Sequence, residues 1–513
     1  MKVLTAIDVV GIQRYVFGSN RLRDIMSRSR MVDWVTSNLS GDALDGCGGD
    51  VLSAAGGNAL ILFDSLQAAQ AFAAKYSRML WETVPALDYA LVHRKFEDGK
   101  LAEGLKAIFV DLAVAKARLP VPGGRGGLGV TVACPHSGMP AVAIDRTDQT
   151  PISVDIQSGR SRLQEARSAW NHLISKQQDY CFPDEFDDLG RSVGDTSLLG
   201  IVHVDGNGVG NKIVKWLDEC IKKSKADADL ISEFREWSGA LSAVATDAFR
   251  RVCQLVESNI IKKNDQSIIG GQVKQLEFTL ARVDSQTFLP VRPIVIGGDD
   301  ITFVCDGRLA LSLVAESLKA FQGTVIPHLG SIGASAGIAF ARTHAPIAQA
   351  YELACDLCSS AKRALNERKR PDGNCALDWH IGGIPHGASI EELRERVYTK
   401  PSWKLTCRPY ELNADENRQT HSWERFSEAI LGADGGTGFR GVEWSKRRNK
   451  VKAMRDAVAM GDLEELKAIV RQIQVIDGNL RLPASISEGD NPTPLLDAIE
   501  LLDIHQILNS VQM

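Results

Sequence analysis

The sequence predicts an α+β protein in which a ferredoxin-like domain occurs twice. Short β-branched runs flank the turn Gly297-Gly298-Asp299-Asp300, and this pattern predicts a β-hairpin. A second hairpin of the same design is predicted around Gly56-Gly57-Asn58. Each hairpin follows a strand and helices and precedes a helix and a strand, which is the element order of a ferredoxin-like domain.

The length and composition indicate a globular protein of several domains. The chain has 513 residues, of which 44% are hydrophobic and 24% charged. The net charge of -5 argues against a nucleic-acid-binding surface over the whole chain, although local basic patches remain open. We place the first ferredoxin-like domain at residues 1–115, a linker or small helical domain at 116–195, the second ferredoxin-like domain at 196–385 and a C-terminal helical domain at 386–513.

Cysteine usage and hydropathy bear on the cellular location. The ten cysteines are scattered, which favours reduced thiols over a disulfide framework. Cys355 and Cys358 form a Cys-x-x-Cys pattern, but core packing is favoured over a zinc or redox role because no second pair lies nearby. The first residues lead directly into a predicted strand, and no apolar run approaches membrane-spanning length. We therefore expect a cytoplasmic protein with no membrane partner.

The first ferredoxin-like domain begins with a strand that ends at Asp8. Asn58 is aligned with Asp299 of the Gly297-Gly298-Asp299-Asp300 hairpin, and Ala59 follows it. An amide and a methyl group cannot replace carboxylates as ligands of a divalent metal, so this copy is predicted to lack a metal site. Taken by itself, Gly56-Gly57-Asn58 fits a type I′ turn with nothing bound. The predicted strands and helices of this copy lie at 3–7, 21–40, 51–55, 59–63, 66–87 and 89–92.

The segment between the two copies has a weaker pattern. Pro120–Gly129 is rich in glycine but lacks the Lys-Ser/Thr ending of a P-loop. We interpret it as a flexible connection rather than a phosphate-binding loop. Gln164–Gln177 is predicted to be helical.

The second copy opens with a buried strand, Ser197–Val204, that delivers Asp205 to its end. Glycines follow in Gly206-Asn207-Gly208-Val209-Gly210, before an amphipathic segment at Lys212–Ile221. A strand that ends in an acid and glycines at a helix start can hold a metal on the acid, while backbone N–H groups face a triphosphate. The later helices are predicted at 233–262, 309–321 and 347–365, the later strands at 330–341 and 375–379, and an irregular excursion at 264–287.

Three carboxylates from two separate loops suggest metal chemistry. Asp299 and Asp300 are adjacent, and their repulsion is relieved if a cation lies between them. With Asp205 they supply the acid set that two-metal nucleotidyl transfer requires, in which one ion activates the attacking hydroxyl and the other neutralises the leaving pyrophosphate. The alternative is an ordinary surface turn, since Gly and Asp are the commonest turn residues.

This constellation resembles a known family. Asp205 with Gly297-Gly298-Asp299-Asp300 is similar to the palm domain of nucleotide cyclases and diguanylate cyclases. It resembles more closely the large polymerase/cyclase subunit of type III CRISPR effector complexes, which makes cyclic oligoadenylates from ATP. The likeness extends to Ser331–Phe340, to Ala361-Lys362, and to the opening run Gly11–Phe17. No His-Asp dipeptide occurs in the sequence, so the resemblance implies a short member without the HD nuclease domain.

The resemblance implies two palm (nucleotide cyclase-like) domains and an ATP-dependent nucleotidyltransferase. It implies that Asp205, Asp299 and Asp300 are catalytic and bind two Mg²⁺ or Mn²⁺ ions, and that Lys362 reaches the nucleotide phosphates. It implies no zinc, because only Cys134, Cys181 and His136 are available where relatives often carry two cysteine pairs. The implied partners are ATP and either guide RNA with other effector subunits or a second copy of the chain. The remaining nucleotide-binding residues are Gly206, Asn207, Gly208 and Gly210 around the phosphates, Gly297 and Gly298 beside the ribose, and Asp8, Gly56, Gly57 and Asn58 for a second nucleotide in the degenerate first palm.

Several alternatives stay open at this point. Lys362 is equally well explained as a solvated helix lysine, and Asn366 stands where related cyclases have an arginine. The basic run 446–452 in the C-terminal helices is interpreted as a solvated face rather than an RNA contact. The chain could instead be another palm polymerase or cyclase, or a structural RNA-complex subunit with vestigial palms, although the intact acid set argues against the latter. The sequence does not define the base of the substrate nucleotide, the ring size and linkage of the product, or the signal that activates the protein.

Overall fold

The structure is a computed structural model of the full chain. It describes residues 1–119, 129–146, 149–190, 198–383, 388–400, 403–412, 420–460, 462–476, 480–484 and 492–510. The glycine-rich connection predicted at Pro120–Gly129 lies outside these ranges except for its last residue.

The first palm is a four-stranded antiparallel sheet with helices on both faces. Its strand order, β2-β3-β1-β4, is that of a ferredoxin-like domain. Alternate residues of β1 face opposite sides, so Leu4 packs with α5 while Val3 and Ile7 pack with α2 and α4. The elements are β1 (Lys2–Val10), α1 (Ile12–Val16), α2 (Leu22–Trp34), α3 (Ser40–Leu44), β2 (Asp50–Ala55), β3 (Asn58–Phe63), α4 (Leu66–Thr83), β4 (Asp88–Phe96) and α5 (Leu101–Arg118).

The segment that follows contains short elements. The helix predicted over Gln164–Gln177 is confined to its N-terminal part, and a 3₁₀ turn covers Asn171–Leu173. The elements are β5 (Ala141–Ile144), β6 (Pro151–Ser153), α6 (Val154–Arg160), α7 (Leu163–Ser168) and β7 (Tyr180–Cys181).

The second palm is built on a larger sheet. Antiparallel strands β14-β15-β8-β18 repeat the first palm's order, and β19 adds parallel to β18. The excursion before the hairpin, predicted to be irregular, forms small strand pairs. The elements are β8 (Leu198–Gly206), α8 (Val209–Lys222), α9 (Asp227–Ser258), β9 (Ile260–Lys263), β10 (Gln266–Ile269), β11 (Phe278–Thr279), β12 (Arg282–Val283), β13 (Gln286–Phe288), β14 (Val291–Gly297), β15 (Asp300–Asp306), α10 (Ala310–Phe321), β16 (Thr324–Ile326), β17 (Gly330–Ile332), β18 (Ala334–Arg342), α11 (Ile347–Glu367) and β19 (Ala376–Ile381).

Helix α11 lies unusually close to this sheet. A Cβ atom on Gly337 of β18 would be 1.9 Å from the backbone oxygen of Ala354, so only glycine allows this approach. The small residues of β18 therefore bring α11 over the end of β8 that carries Asp205.

The C-terminal region is mainly helical, but it also completes the palm sheet. Strand β22 pairs with β19, where Tyr410 stacks on Trp379, so the C-terminal region extends the sheet of the second palm. Arg408 also forms a 2.8 Å buried ion pair with Asp497. The elements are α12 (Ile390–Tyr398), β20 (Thr399–Lys400), β21 (Trp403–Lys404), β22 (Tyr410–Glu411), α13 (Trp423–Arg425), α14 (Val442–Ser445), α15 (Arg448–Met460), α16 (Leu463–Ile476) and α17 (Leu495–Leu501).

The hairpins of the two palms meet at their tips. A Cβ atom on Gly297 would lie 3.6 Å from Cα of Gly56. The palms thus face each other across their hairpins.

The two sheets confirm the α+β class and the two ferredoxin-like domains predicted from the sequence.

Candidate active site

The structure brings the three predicted carboxylates to one end of the second palm. Asp300 is directly opposite Asp205 in the β15–β8 ladder. Asp299 occupies the turn, and its backbone oxygen accepts a 3.2 Å hydrogen bond from the N–H of Gly206. A Cβ atom on Gly206 would be 2.5 Å from Oδ2 of Asp299, so the Asp299 side chain lies against this glycine. The turn depends on Gly298, whose φ of 62° is favourable only for glycine and a few polar residues.

Lys362 is the cation that the structure places at this site. Its Nζ lies 2.5 Å from Oδ2 of Asp205 and 2.9 Å from the backbone oxygen of Gly206. Burial, and next the neighbouring Asp205, raise the pKa of Asp299 to about 6. One ammonium group thus faces three carboxyl groups that lie close together.

These three carboxyl groups have the chemistry of a divalent-metal site, but their side chains are not arranged around a common ion position. In the described part of the chain, no group of three or more His, Cys, Asp or Glu side chains is arranged to hold a metal ion. Asp205 is bonded to Lys362 instead. Carboxylate oxygens with excess negative charge fit Mg²⁺ or Mn²⁺, and binding would require Lys362 to move from Asp205 or the ion to bind beside it.

The glycine run after Asp205 is only partly available to a phosphate. The backbone N–H of Asn207 donates to Gly333 (2.8 Å), and that of Gly206 donates to Asp299 as described. The Asn207 side chain bonds Asn374 and Ser335. This corrects the prediction that Gly206 and Asn207 present free N–H groups. The first turn of α8, from Gly208 to Gly210, remains suitable, because helix-start amides have no partner within the helix and a Cβ on either glycine would meet open space.

The two hairpin glycines differ in their surroundings. Gly297 packs against the first palm at Gly56, whereas a Cβ on Gly298 would meet nothing within 4 Å. Of the two, Gly298 therefore offers open space for a ribose.

The register of the first palm corrects the alignment of Asn58. Asn58 is opposite Asp8, as Asp300 is opposite Asp205. Asn58 thus corresponds to Asp300, not to Asp299 as the sequence comparison had it. That comparison superposed the glycine pairs, but the turn residues are Gly56-Gly57 in one hairpin and Gly298-Asp299 in the other. The counterpart of Asp299 is therefore Gly57, which has no side chain, and Asp8 is the only acid of the three positions.

Asp8 has a partner that sequence reasoning missed. Lys116 near the end of α5 forms an ion pair with Asp8, just as Lys362 near the end of α11 pairs with Asp205. Each lysine is 15 residues beyond the first residue of its helix. The recurring dipeptides Ala115-Lys116 and Ala361-Lys362 were the signal that could have shown it.

A cleft of 480 Å³ lies between the palms beside the Asp8–Lys116 pair. Its walls include Asp8, Lys116 and α1 on one side and Tyr351 of α11 on the other. Phe17 stacks on Tyr351 with ring centroids 4.0 Å apart, and both rings line the cleft. A larger cavity of 560 Å³ lies beyond the other end of β18, near Arg342, and none of the predicted site residues lines it.

A second missed residue is His203, on the same face of β8 as Asp205. Its Nδ1 lies 3.2 Å from Oδ1 of Asp300. Cys358, from the Cys-x-x-Cys pattern, is buried and bonds the backbone oxygen of Ser335, as packing predicts. No helix in the described ranges is long and apolar enough to cross a membrane.

The sheet order and the carboxylates define the segment from β8 to β19 as a palm domain. Residues 198–370 match the family described as Cas10/Cmr2, second palm domain. The resemblance to the large subunit of type III CRISPR effector complexes is thereby confirmed.

Solved structures share the fold of nearly the whole chain. Csm1 of T. onnurineus is 16% identical, with a TM-score of 0.53 over 98% of this chain and 70% of that chain. A Csm1–Csm4 cassette in complex with pppApA and another in complex with cA3 are each 13% identical, with a TM-score of 0.52 over 98% of this chain and 69% of theirs. No curated protein matches this chain.

Proposed function

We propose that this chain is a nucleotidyltransferase that joins ATP molecules into a cyclic oligonucleotide, specifically a cyclic oligoadenylate, and releases pyrophosphate. It would act as a second-messenger synthase in antiviral defence of the type III CRISPR kind. The observation that carries the proposal is the convergence of Asp205, Asp299 and Asp300 at one end of a Cas10/Cmr2 palm domain. The ligands named for the similar Csm1–Csm4 structures, pppApA and cA3, support the substrate and product class.

Asp205, Asp299 and Asp300 would hold two Mg²⁺ or Mn²⁺ ions, which when bound favour the alkoxide of the acceptor hydroxyl and neutralise the departing pyrophosphate. Lys362 would bind a phosphate oxygen once its bond to Asp205 is released. The first turn of α8 would bind the triphosphate through its backbone N–H groups.

The reaction then needs only correct positioning of two nucleotides. A ribose hydroxyl of one nucleotide would attack the α-phosphorus of the other and lose its proton to solvent, while the bond to pyrophosphate breaks with its electron pair leaving on the pyrophosphate. The cleft bounded by Asp8 and Lys116 would hold the second nucleotide beside Asn58 and the Gly56-Gly57 turn. Repetition and ring closure would give the cyclic product.

A second candidate is a catalytically weak structural subunit that binds RNA and other proteins of the effector complex. The bond between Lys362 and Asp205, with no ligand group closed around an ion in the described residues, favours this candidate. The Csm1–Csm4 pairing of the similar structures suggests a protein partner, with guide RNA or a second copy of the chain as further proposed partners.

Mass spectrometry of the products from ATP with Mg²⁺ or Mn²⁺, with and without candidate RNA, tests the proposal. We expect a cyclic oligoadenylate from the unsubstituted chain and none from Asp299→Asn/Asp300→Asn. Asp284→Asn is the matched control, since Asp284 lies in the turn of another hairpin, between β12 and β13. Equal product from the double variant and the control would reject the enzyme, and absence of product with every NTP would favour the structural subunit.

A further inference from the structure

His203 is held in a buried position between two residues of β15. Its side chain is on the Asp205 face of β8, and the residue is 8% exposed. Nδ1 lies 3.3 Å from Oγ1 of Thr302 and 3.2 Å from Oδ1 of Asp300. The ring therefore contacts one of the proposed metal ligands from beneath the site.

The Asp300 carboxyl group is divided between the interior and the surface. Oδ1 is buried and makes no hydrogen bond of good geometry, although the side chain as a whole is 39% exposed. The exposure therefore lies on the other side of the carboxyl group. With one oxygen directed toward His203, the second oxygen is left for a ligand at the surface.

The first palm reaches His203 through two aromatic rings. Tyr351 of α11 meets the imidazole edge to face, with centroids 5.7 Å apart and an angle of 75°. Tyr351 in turn contacts Phe17, which follows α1. The Phe17 and Tyr351 rings are stacked, with centroids 4.0 Å apart and an interplanar angle of 15°. Phe17 and Tyr351 are 3% and 4% exposed, so the three rings form a continuous buried connection between the palms.

We propose that His203 is a positioning residue that orients Asp300 for metal binding, and that Phe17 of the first palm keeps His203 in place through Tyr351. This inference rests on the proposed function and adds a second role for the first palm besides seating a nucleotide. Groups that orient a metal ligand commonly change metal affinity or activity about 10–100-fold when removed. Stacked and edge-to-face aromatic pairs are favourable beyond the area they bury, so the two ring contacts favour one orientation of the imidazole.

Mn²⁺ binding measured by electron paramagnetic resonance, with a non-hydrolysable ATP analogue present, tests this without relying on turnover. We expect His203→Ala to weaken Mn²⁺ binding about 10-fold. His203→Asn, whose amide nitrogen can replace Nδ1, should restore binding to within about threefold of the unsubstituted chain. His380→Asn is the matched control, because His380 is equally buried in β19 of the same sheet.

The connection through Phe17 is tested by a double-variant cycle. Phe17→Leu should weaken Mn²⁺ binding, and adding it to His203→Ala should cause no further loss, since both act through the same ring. Phe72→Leu, in another aromatic stack of the first palm, should leave Mn²⁺ binding unchanged. Thermal melting of each variant shows that it is folded.

The outcomes separate this inference from the proposed function. Absence of Mn²⁺ binding by the unsubstituted chain would overturn both. Normal binding by the unsubstituted chain and by folded His203→Ala would overturn the role of His203 alone. Fully additive losses from Phe17→Leu and His203→Ala would overturn the connection between the palms.

Discussion

Lys116 bonds Asp8 in the first palm as Lys362 bonds Asp205 in the second. The first palm has thus kept the lysine–aspartate pair while its other two acid positions hold Asn58 and Gly57. A pair of this kind can bind a phosphate and a hydroxyl without a metal ion. In the proposed function the first palm would therefore bind a nucleotide without activating it.

The two lysines should affect different steps. Lys362→Gln removes an ammonium at the proposed reaction centre, so we expect kcat to fall about 100-fold. Lys116→Gln should raise the KM for ATP about 10-fold with a smaller change in kcat, because its charge acts only in binding. Steady-state rates of pyrophosphate release measure both. Lys319→Gln, an exposed helix lysine paired with Glu316, should change neither. Identical effects of the first two variants would contradict the division of roles.

Gly206 should not tolerate a methyl group. In Gly206→Ala the new Cβ would lie 2.5 Å from Oδ2 of Asp299, so the carboxylate must move, and we expect product formation to fall at least about 100-fold. Gly239→Ala is the control, because a Cβ there meets open space in the middle of α9. The control should keep full activity and gain about 0.5–1 kcal/mol of stability in urea denaturation. An active Gly206→Ala variant would show that the position of Asp299 is not critical.

Asp299 should make the stability of the metal-free protein depend on pH between about 4 and 6. Its pKa is about 6 in the folded protein against 3.8 without the protein environment, so the folded state holds the proton more tightly. The charged form is therefore unfavourable above pH 6, and this penalty disappears as the pH falls toward 4. We expect Asp299→Asn to be more stable than the unsubstituted chain at pH 7.5, with the difference shrinking by pH 5. Urea denaturation with a chelator present measures this, and a constant difference across the range would contradict it.

The C-terminal region should depend on one buried ion pair. Arg408 and Asp497 are 1% and 0% exposed, with Nε and Oδ1 2.8 Å apart. Arg408→Leu leaves Asp497 buried without its cation, so we expect a loss of about 3–5 kcal/mol in the free energy of unfolding. The double variant Arg408→Leu/Asp497→Leu should recover most of this loss. If the double variant is as unstable as the single one, lost packing rather than the unpaired charge is the cause.

The sequence was sufficient for features carried by local patterns. Strand ends and glycine turns predict that Asp205, Asp299 and Asp300 lie at the ends of strands, because a hairpin and a strand–turn–helix unit have short-range sequence signals. The one-residue error at Asn58 arose since glycine pairs look alike in sequence, while only the strand register shows which residues occupy the turn. Contacts across long separations had no such signal, as with His203 and Asp300, and β22 was missed because two residues make too short a strand to recognise.

The contact between the hairpins of the two palms limits which side chains can occur there. At Gly56 and Gly297 the two palms approach each other through main-chain atoms, since neither residue has a side chain. A methyl group at 297 would be accommodated at 3.6 Å, whereas a longer side chain there would push the two palms apart. A bulkier residue at 297 would therefore demand a compensating change on the opposite palm.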